Sequence, residues 1–161
     1  MGDKPRGMLQ AGDEAPLFEL KDTVGGTQAL SKLLESGPVL LFFFKVSCPV
    51  CQMTAPFLER LGAGKAVQVI GVSQDERGAT VEFARRFRLT FPVLLDSVRA
   101  GYQASNGFGL CSVPSLFVVE TDLKISSACA GFSKSDLAAL GKRMGVELFT
   151  IEDKVPLFRA G

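Results

Sequence analysis

Residues 39–44 (Val-Leu-Leu-Phe-Phe-Phe) form an unbroken apolar run, the length of a strand buried on both faces, with Pro38 marking its start. After a short turn a helix begins at Pro49 and continues to Leu61, because proline suits a first helical position whose N–H would be unpaired anyway. Before this unit, residues 17–20 and 27–29 read as short strands around the turn 22–26, a hairpin. Ser31 is positioned to cap a short helix running to Ser36. Residues 66–72 then read as a strand in a βαβ unit. Asp75 or Gly78 leads into a helix over 79–87, with Val81, Ala84 and Phe87 on one side. Arg85, Arg86 and Arg88 of that segment read as a solvated face.

Residues 91–96 follow as a short strand or turn, and a helix is expected over 97–105. Pro114 opens a β-rich run whose hairpin partner is 124–130, with Thr121 and Asp122 in the turn. A closing helix spans 133–144, Ser133 being its cap. Residues 1–16 read as an irregular lead-in. The tail, residues 146–161, holds Leu148, Phe149, Ile151, Val155, Leu157 and Phe158, too apolar to float free. It is expected to pack on the domain or on a second copy.

Composition narrows this picture. A chain of 161 residues, 47% apolar and with 17 glycines, suits one α/β domain with a sizeable core. A net charge of +1 without a basic cluster points away from nucleic acid and anionic membranes. No apolar run reaches membrane-spanning length, and residues 1–10 are too polar for a signal peptide. The expected location is therefore cytoplasmic, or periplasmic if a leader has been removed. Histidine is absent, which removes Cys-His and Ser-His nucleophile systems, histidine-ligated zinc and most haem schemes. The 4 cysteines form one close pair and two singles, a pattern for redox chemistry rather than a disulfide scaffold.

That pair, Cys48 and Cys51, carries the chemistry. Cys48 sits at a helix N-terminus, where free N–H groups and the dipole favour a thiolate; Cys51 lies about one turn further on, within reach of the first sulfur. Strand, thiol, helix and second thiol make a dithiol/disulfide site. A Cys-Pro-Val-Cys closing a buried strand and opening a helix, with Pro56 eight residues after the first cysteine, resembles the thioredoxin superfamily. Residues 55–61, the Phe-Pro-Val-Leu-Leu-Asp of 91–96 and the lead-in 11–20 resemble its TlpA/ResA branch, and the lead-in also resembles peroxiredoxin domains.

The resemblance covers about residues 11–145. It implies a thioredoxin-like α/β fold, a central mixed sheet flanked by helices with an added N-terminal β-hairpin, as one domain over 1–145 with the tail 146–161 outside it. It also implies a thiol–disulfide oxidoreductase acting on protein or small-thiol disulfides, reset by a thiol or thioredoxin-type donor, without cofactor or metal. Cys48 is the expected attacker and Cys51 the resolver. Pro114 corresponds to the family's cis-proline, which would bring the Val113 backbone alongside Cys48 to pair with an extended substrate strand. Ser47, Pro49, Val50 and Cys111 are the supporting positions. The expected state is a monomer or weak homodimer.

Several positions depart from the family pattern. Ser47 replaces the tryptophan before the first cysteine, Phe42 stands where thioredoxin buries an acid, and Thr54 where ResA-like proteins carry a glutamate. The proton acceptor for Cys51 is left among Lys45, Glu59 and a water. With no histidine between the cysteines, the Cys48 thiol should fall less from about 8.5 than in strongly oxidising relatives, favouring a reductant or an intermediate-potential exchanger. Cys129 reads as a small buried hydrophobe, and Cys111 as either that or a redox partner of Cys48.

The alternative is a thiol peroxidase of the bacterioferritin-comigratory type. It needs a proline seven residues and a threonine or serine three residues before the attacking cysteine, where Leu41 and Lys45 stand. Four-cysteine zinc ligation lacks a second close pair, and a cluster bridged between two chains is a smaller alternative.

Overall fold

Strand β3 (Val39–Phe44) lies inside the sheet, and all 6 of its residues are buried. In this computed structural model, which describes residues 7–161, its side chains alternate between two cores. Leu40, Phe42 and Phe44 face one core together with helices α2 (Pro49–Leu61) and α5 (Lys134–Met144). Val39, Leu41 and Phe43 face the other, with Leu30, Leu34 and Phe108. Phe42 stacks on Phe44 at 4.9 Å, and Phe44 on Phe83 at 4.8 Å. Burying each such ring contributes about 1.5–3 kcal/mol, so this strand is a rigid platform for the turn and helix beyond Phe44.

The hairpin β1 (Glu19–Asp22) and β2 (Thr27–Ala29) joins β4 (Gln68–Ser73), β5 (Val93–Leu95), β6 (Ser115–Val119) and β7 (Ile125–Ala130) in one mixed sheet. Its order is β2-β1-β5-β4-β3-β6-β7. Strands β3, β4 and β5 are parallel, while β6 and β7 run antiparallel on one side and the hairpin adds antiparallel to β5 on the other. Asp22 builds the hairpin turn, its Oδ1 accepting the Val24 and Gly26 N–H groups at 2.9 and 2.8 Å. This is the thioredoxin-like arrangement with an added N-terminal hairpin.

Three local expectations give way. Helix α1 (Leu30–Leu33) begins directly after β2, with Ala29 at its cap and a 3-10 turn Leu34–Ser36 behind it, so Ser31 lies inside the helix and caps nothing. Helix α3 (Arg77–Arg86) buries Thr80 and Phe83, while Val81 is 38% exposed. The Thr80 hydroxyl tolerates burial because it shares a 2.7 Å hydrogen bond with Ser73 Oγ. The helix expected over 97–105 is broken into a 3-10 turn, Val98–Ala100, and helix α4 (Gln103–Gly107). Gly101 and Tyr102 adopt positive φ at the break, and the buried Asp96 carboxylate accepts the Ala104 and Ser105 N–H groups beyond it. Residues 1–6 of the irregular lead-in lie outside the described residues.

Residues 146–161 fold back over the core that contains α2. Leu148 is buried, and the Phe149 ring meets Phe57 at 4.9 Å and Phe132 at 6.3 Å. Arg60 grips Asp153 through both guanidinium nitrogens at 2.8 and 3.1 Å, holding that carboxyl well below the usual range. Strand β9 (Phe158–Arg159) then pairs antiparallel with β8 (Phe132–Ser133). Gly131 has φ +76, and an added Cβ would come within 2.6 Å of the Arg159 carbonyl oxygen, so the two backbones touch where only glycine fits. Among the described residues no helix is long and apolar enough to cross a membrane.

Candidate active site

Cys48 is the N-cap residue of α2, in extended conformation with φ −81 and ψ 115. Pro49 fills the first helical position. The platform strand β3 ends four residues earlier, and the turn between is fixed at both ends. Cys48 N–H donates to the Lys45 carbonyl at 3.2 Å, and Val46 N–H donates to Asp75 Oδ2 at 2.8 Å. Gln52 reaches back from the helix to the Val46 carbonyl at 2.9 Å.

Cys48 Sγ accepts the Cys51 N–H at 3.1 Å, an orphan donor of the first helical turn. A sulfur so placed faces the positive end of the helix dipole. Cys48 is part-exposed, as an attacking thiol must be, whereas Cys51 is 0% exposed among Val50, Ala55 and Phe42. Burial pushes the Cys51 thiol far above the ordinary range. The Cys48 hydrogen bond and the charges of Cys48 and Asp75 add to this, against a single opposing contact from the Lys45 main chain.

The Val113–Pro114 peptide bond is cis. Its Val113 carbonyl lies 3.6 Å from Cys48 Sγ, within reach of the thiol as donor. Cys48, Cys51, Val113 and Pro114 therefore converge, with Ser47 and Pro49 exposed at the rim and Val50 buried behind them. Cys111 is exposed, and its thiol donates to the Gly109 carbonyl at 3.7 Å rather than to either sulfur. Cys129 is buried in the sheet, its thiol raised to about 12 by burial and the nearby Asp136 charge.

Of the acceptors left open for Cys51, Glu59 is committed to Thr90, taking both its N–H and its hydroxyl. Lys45 is exposed, and its influence on the Cys51 thiol comes from its main chain, which opposes the rise. Asp75 went unrecognised because it lies 24 positions from Cys51 in a different βαβ unit; the residue signal was only an acid just after a strand. Among the described residues no three of His, Cys, Asp and Glu gather closely enough to hold a metal ion.

Comparison with known proteins agrees with this geometry. The sequence profile of the AhpC/TSA family matches residues 11–128. The thiol-disulfide oxidoreductase ResA of Halalkalibacterium halodurans is 31% identical over 118 residues, covering 71% of this chain and 65% of that protein. ResA of Geobacillus thermodenitrificans is 30% identical over 134 residues, covering 80% of this chain and 75% of that one. The crystal structure of peroxidoxin BcpB from Mycobacterium tuberculosis superposes with a TM-score of 0.70 at 28% identity, covering 83% and 97% of the two chains. The thioredoxin domain of the thiol-disulfide oxidoreductase BVU-2223 from Bacteroides vulgatus gives a TM-score of 0.74 over 84% and 97%. Its 19% identity makes that a likeness of fold.

Proposed function

The chain belongs to the AhpC/TSA family, as a ResA-like member of the thioredoxin superfamily with the cysteine pair of a thiol–disulfide oxidoreductase, and we propose how that pair works. The observation that carries the proposal is the pairing of a part-exposed Cys48, capping α2 with its sulfur, with a fully buried Cys51 one turn below. The Cys48 thiolate attacks a substrate disulfide. A bond forms between Cys48 Sγ and one substrate sulfur, the substrate S–S bond breaks, and the departing sulfur takes up a proton. Cys51 then loses its proton and attacks Cys48 Sγ. That breaks the mixed disulfide, frees the second substrate thiol and leaves a Cys48–Cys51 disulfide. Two electrons have moved from the dithiol to the substrate, and a thiol or thioredoxin-type donor restores it.

Val113 offers its main chain beside Cys48, so an extended substrate segment binds against it, with Pro114 setting the edge. Ser47, Pro49 and Val50 shape the rim, and the exposed Cys111 is a secondary thiol for exchange or capping. The substrates are protein or small-thiol disulfides, in the cytoplasm or, if a leader has been removed, the periplasm, and the chain works as a monomer or weak homodimer. The peroxidase reading is weaker, since buried Leu41 and exposed Lys45 occupy the places of the peroxide-polarising proline and hydroxyl.

The test is mixed-disulfide trapping with the Cys51→Ser chain. It should hold a substrate covalently on Cys48, releasing it with dithiothreitol, while Cys48→Ser traps at most the minor share that Cys111 takes. Equal trapping through Cys111 in both chains would sink the assignment.

A further inference from the structure

The final residues of the described chain lie across the approach to Cys48. Up to Asp153 the tail is firmly held, by buried Leu148, by Phe149 on Phe57 and by the Arg60–Asp153 pair. Beyond it the hold changes character. Lys134 N–H, at the first position of α5 and so without a helical partner, donates to the Leu157 carbonyl at 2.9 Å. Phe158 and Arg159 pair with Phe132 and Ser133. The Gly161 backbone then presses on the cis peptide. A Cβ built there would overlap the Val113 carbonyl oxygen and come within 2.6 Å of its carbon and 3.1 Å of Pro114 Cδ. The side chains add little, Leu157 being 80% and Phe158 60% exposed.

The Val113 carbonyl is the same group that faces Cys48 Sγ at 3.6 Å. A substrate strand and residues 157–161 cannot both lie against it. We infer that residues 157–161 are a displaceable strap over the substrate groove, which an extended polypeptide carrying a disulfide must lift and a small disulfide need not. The inference rests on the proposed role of Val113 and Pro114 in receiving substrate. A segment held by a few main-chain bonds, with its apolar side chains in water and a rigid anchor behind it, opens at low free-energy cost. While it is closed the apparent affinity for a polypeptide falls by the fraction of chains open, whereas access for a small disulfide is unaffected. The occupant also defines the substrate: residues 157–161 follow the groove by main-chain contact with their side chains outward, so it takes an extended segment, as an unfolded or misfolded protein presents.

The experiment compares the full chain, a chain ending at Pro156 and the full chain with Gly161→Val, whose added side chain collides with Val113. Each reduces insulin and, separately, hydroxyethyl disulfide, with dithiothreitol as donor. Hydrogen exchange at the Lys134 amide reports whether the strap is seated. Both variants should lose Lys134 protection and reduce insulin about fivefold faster or more, with hydroxyethyl disulfide turnover unchanged within about twofold. Loss of Lys134 protection with unchanged or slower insulin turnover, at normal hydroxyethyl disulfide turnover, would overturn the strap alone. Lys134 exchanging freely in the full chain would also overturn it. Failure of all three chains to reduce either disulfide would overturn the thiol–disulfide reading, and the strap with it.

Discussion

The resolving step should be slow at neutral pH and steeply accelerated by alkali, because among the described residues no side chain other than Cys48 hydrogen-bonds the Cys51 thiol to take its proton, and the nearby Asp75 carboxylate is held by the Val46 N–H. The perturbation is pH alone, applied to the Cys111→Ser chain so that the exposed third thiol is silent. An ordinary thiol near 8.5 is about 3% ionised at pH 7. Burial is the largest of the effects raising Cys51, and it persists after Cys48 has entered a mixed disulfide and its hydrogen bond is gone. Each unit by which burial raises the thiol cuts the thiolate fraction at pH 7 about tenfold. The more basic thiolate is the better nucleophile by about half a logarithm per unit, which recovers about threefold of that. Resolution at pH 7 should therefore run about threefold slower than for an unshifted thiol for every unit of the rise. The rate should also climb about tenfold per pH unit from about pH 6 to beyond pH 9 without levelling. Stopped-flow mixing with an aromatic disulfide reads both steps, as two successive releases of coloured thiolate. A second phase that is flat with pH, or that levels below about pH 9, would show that a base accepts the proton and would refute the reasoning.

Asp75→Asn keeps an oxygen for the Val46 N–H but removes a negative charge that raises Cys51, so the second phase should quicken by about two- to fivefold at pH 7; a slower phase would make Asp75 the proton acceptor instead. Cys129 is raised from 9.0 to about 12, so its contribution to stability is complete below about pH 9 and is lost as the pH climbs towards 12. Urea unfolding of the reduced chain should show Cys129→Ala losing less stability per pH unit than the parent across about pH 9–11, by about 1.4 kcal/mol; parallel slopes would contradict the burial effect. Phe42→Ala, at 0% exposure and stacked on Phe44, should cost about 3–5 kcal/mol in the same titration. Hydrogen peroxide should consume Cys48 no faster than it consumes an ordinary thiolate, followed by competition with catalase; consumption a thousandfold faster would restore the peroxidase reading.

What the sequence disclosed were features written in neighbouring residues. The run 39–44 is apolar on both faces because β3 is sandwiched between two cores, and Pro49 marks the helix start because its ring suits the position after Cys48. The placement of Val113 beside Cys48 spans 65 positions and was legible only through the resemblance. Ser31 misled because the chain passes from β2 into α1 without a gap, leaving Ala29, which has no capping oxygen, at the boundary. Val81 and Thr80 exchanged faces because hydropathy counts a hydroxyl as polar, whereas a hydroxyl paired with Ser73 behaves as a core group.

The tail marks where local patterns stop informing. Its apolar residues say that it packs, and Leu148 and Phe149 do so. The same reasoning applied to Leu157 and Phe158 would bury them too, yet they face solvent while their main chain follows Phe132 and Ser133 towards Val113. Hydropathy therefore describes the anchor of this segment and fails for its tip. The residues that reveal the tip are glycines, Gly131 and Gly161, whose missing side chains let one backbone lie directly on another. A segment positioned by backbone contact and not by side-chain burial is one that a competing backbone can replace, and the groove it follows leads to the reactive sulfur.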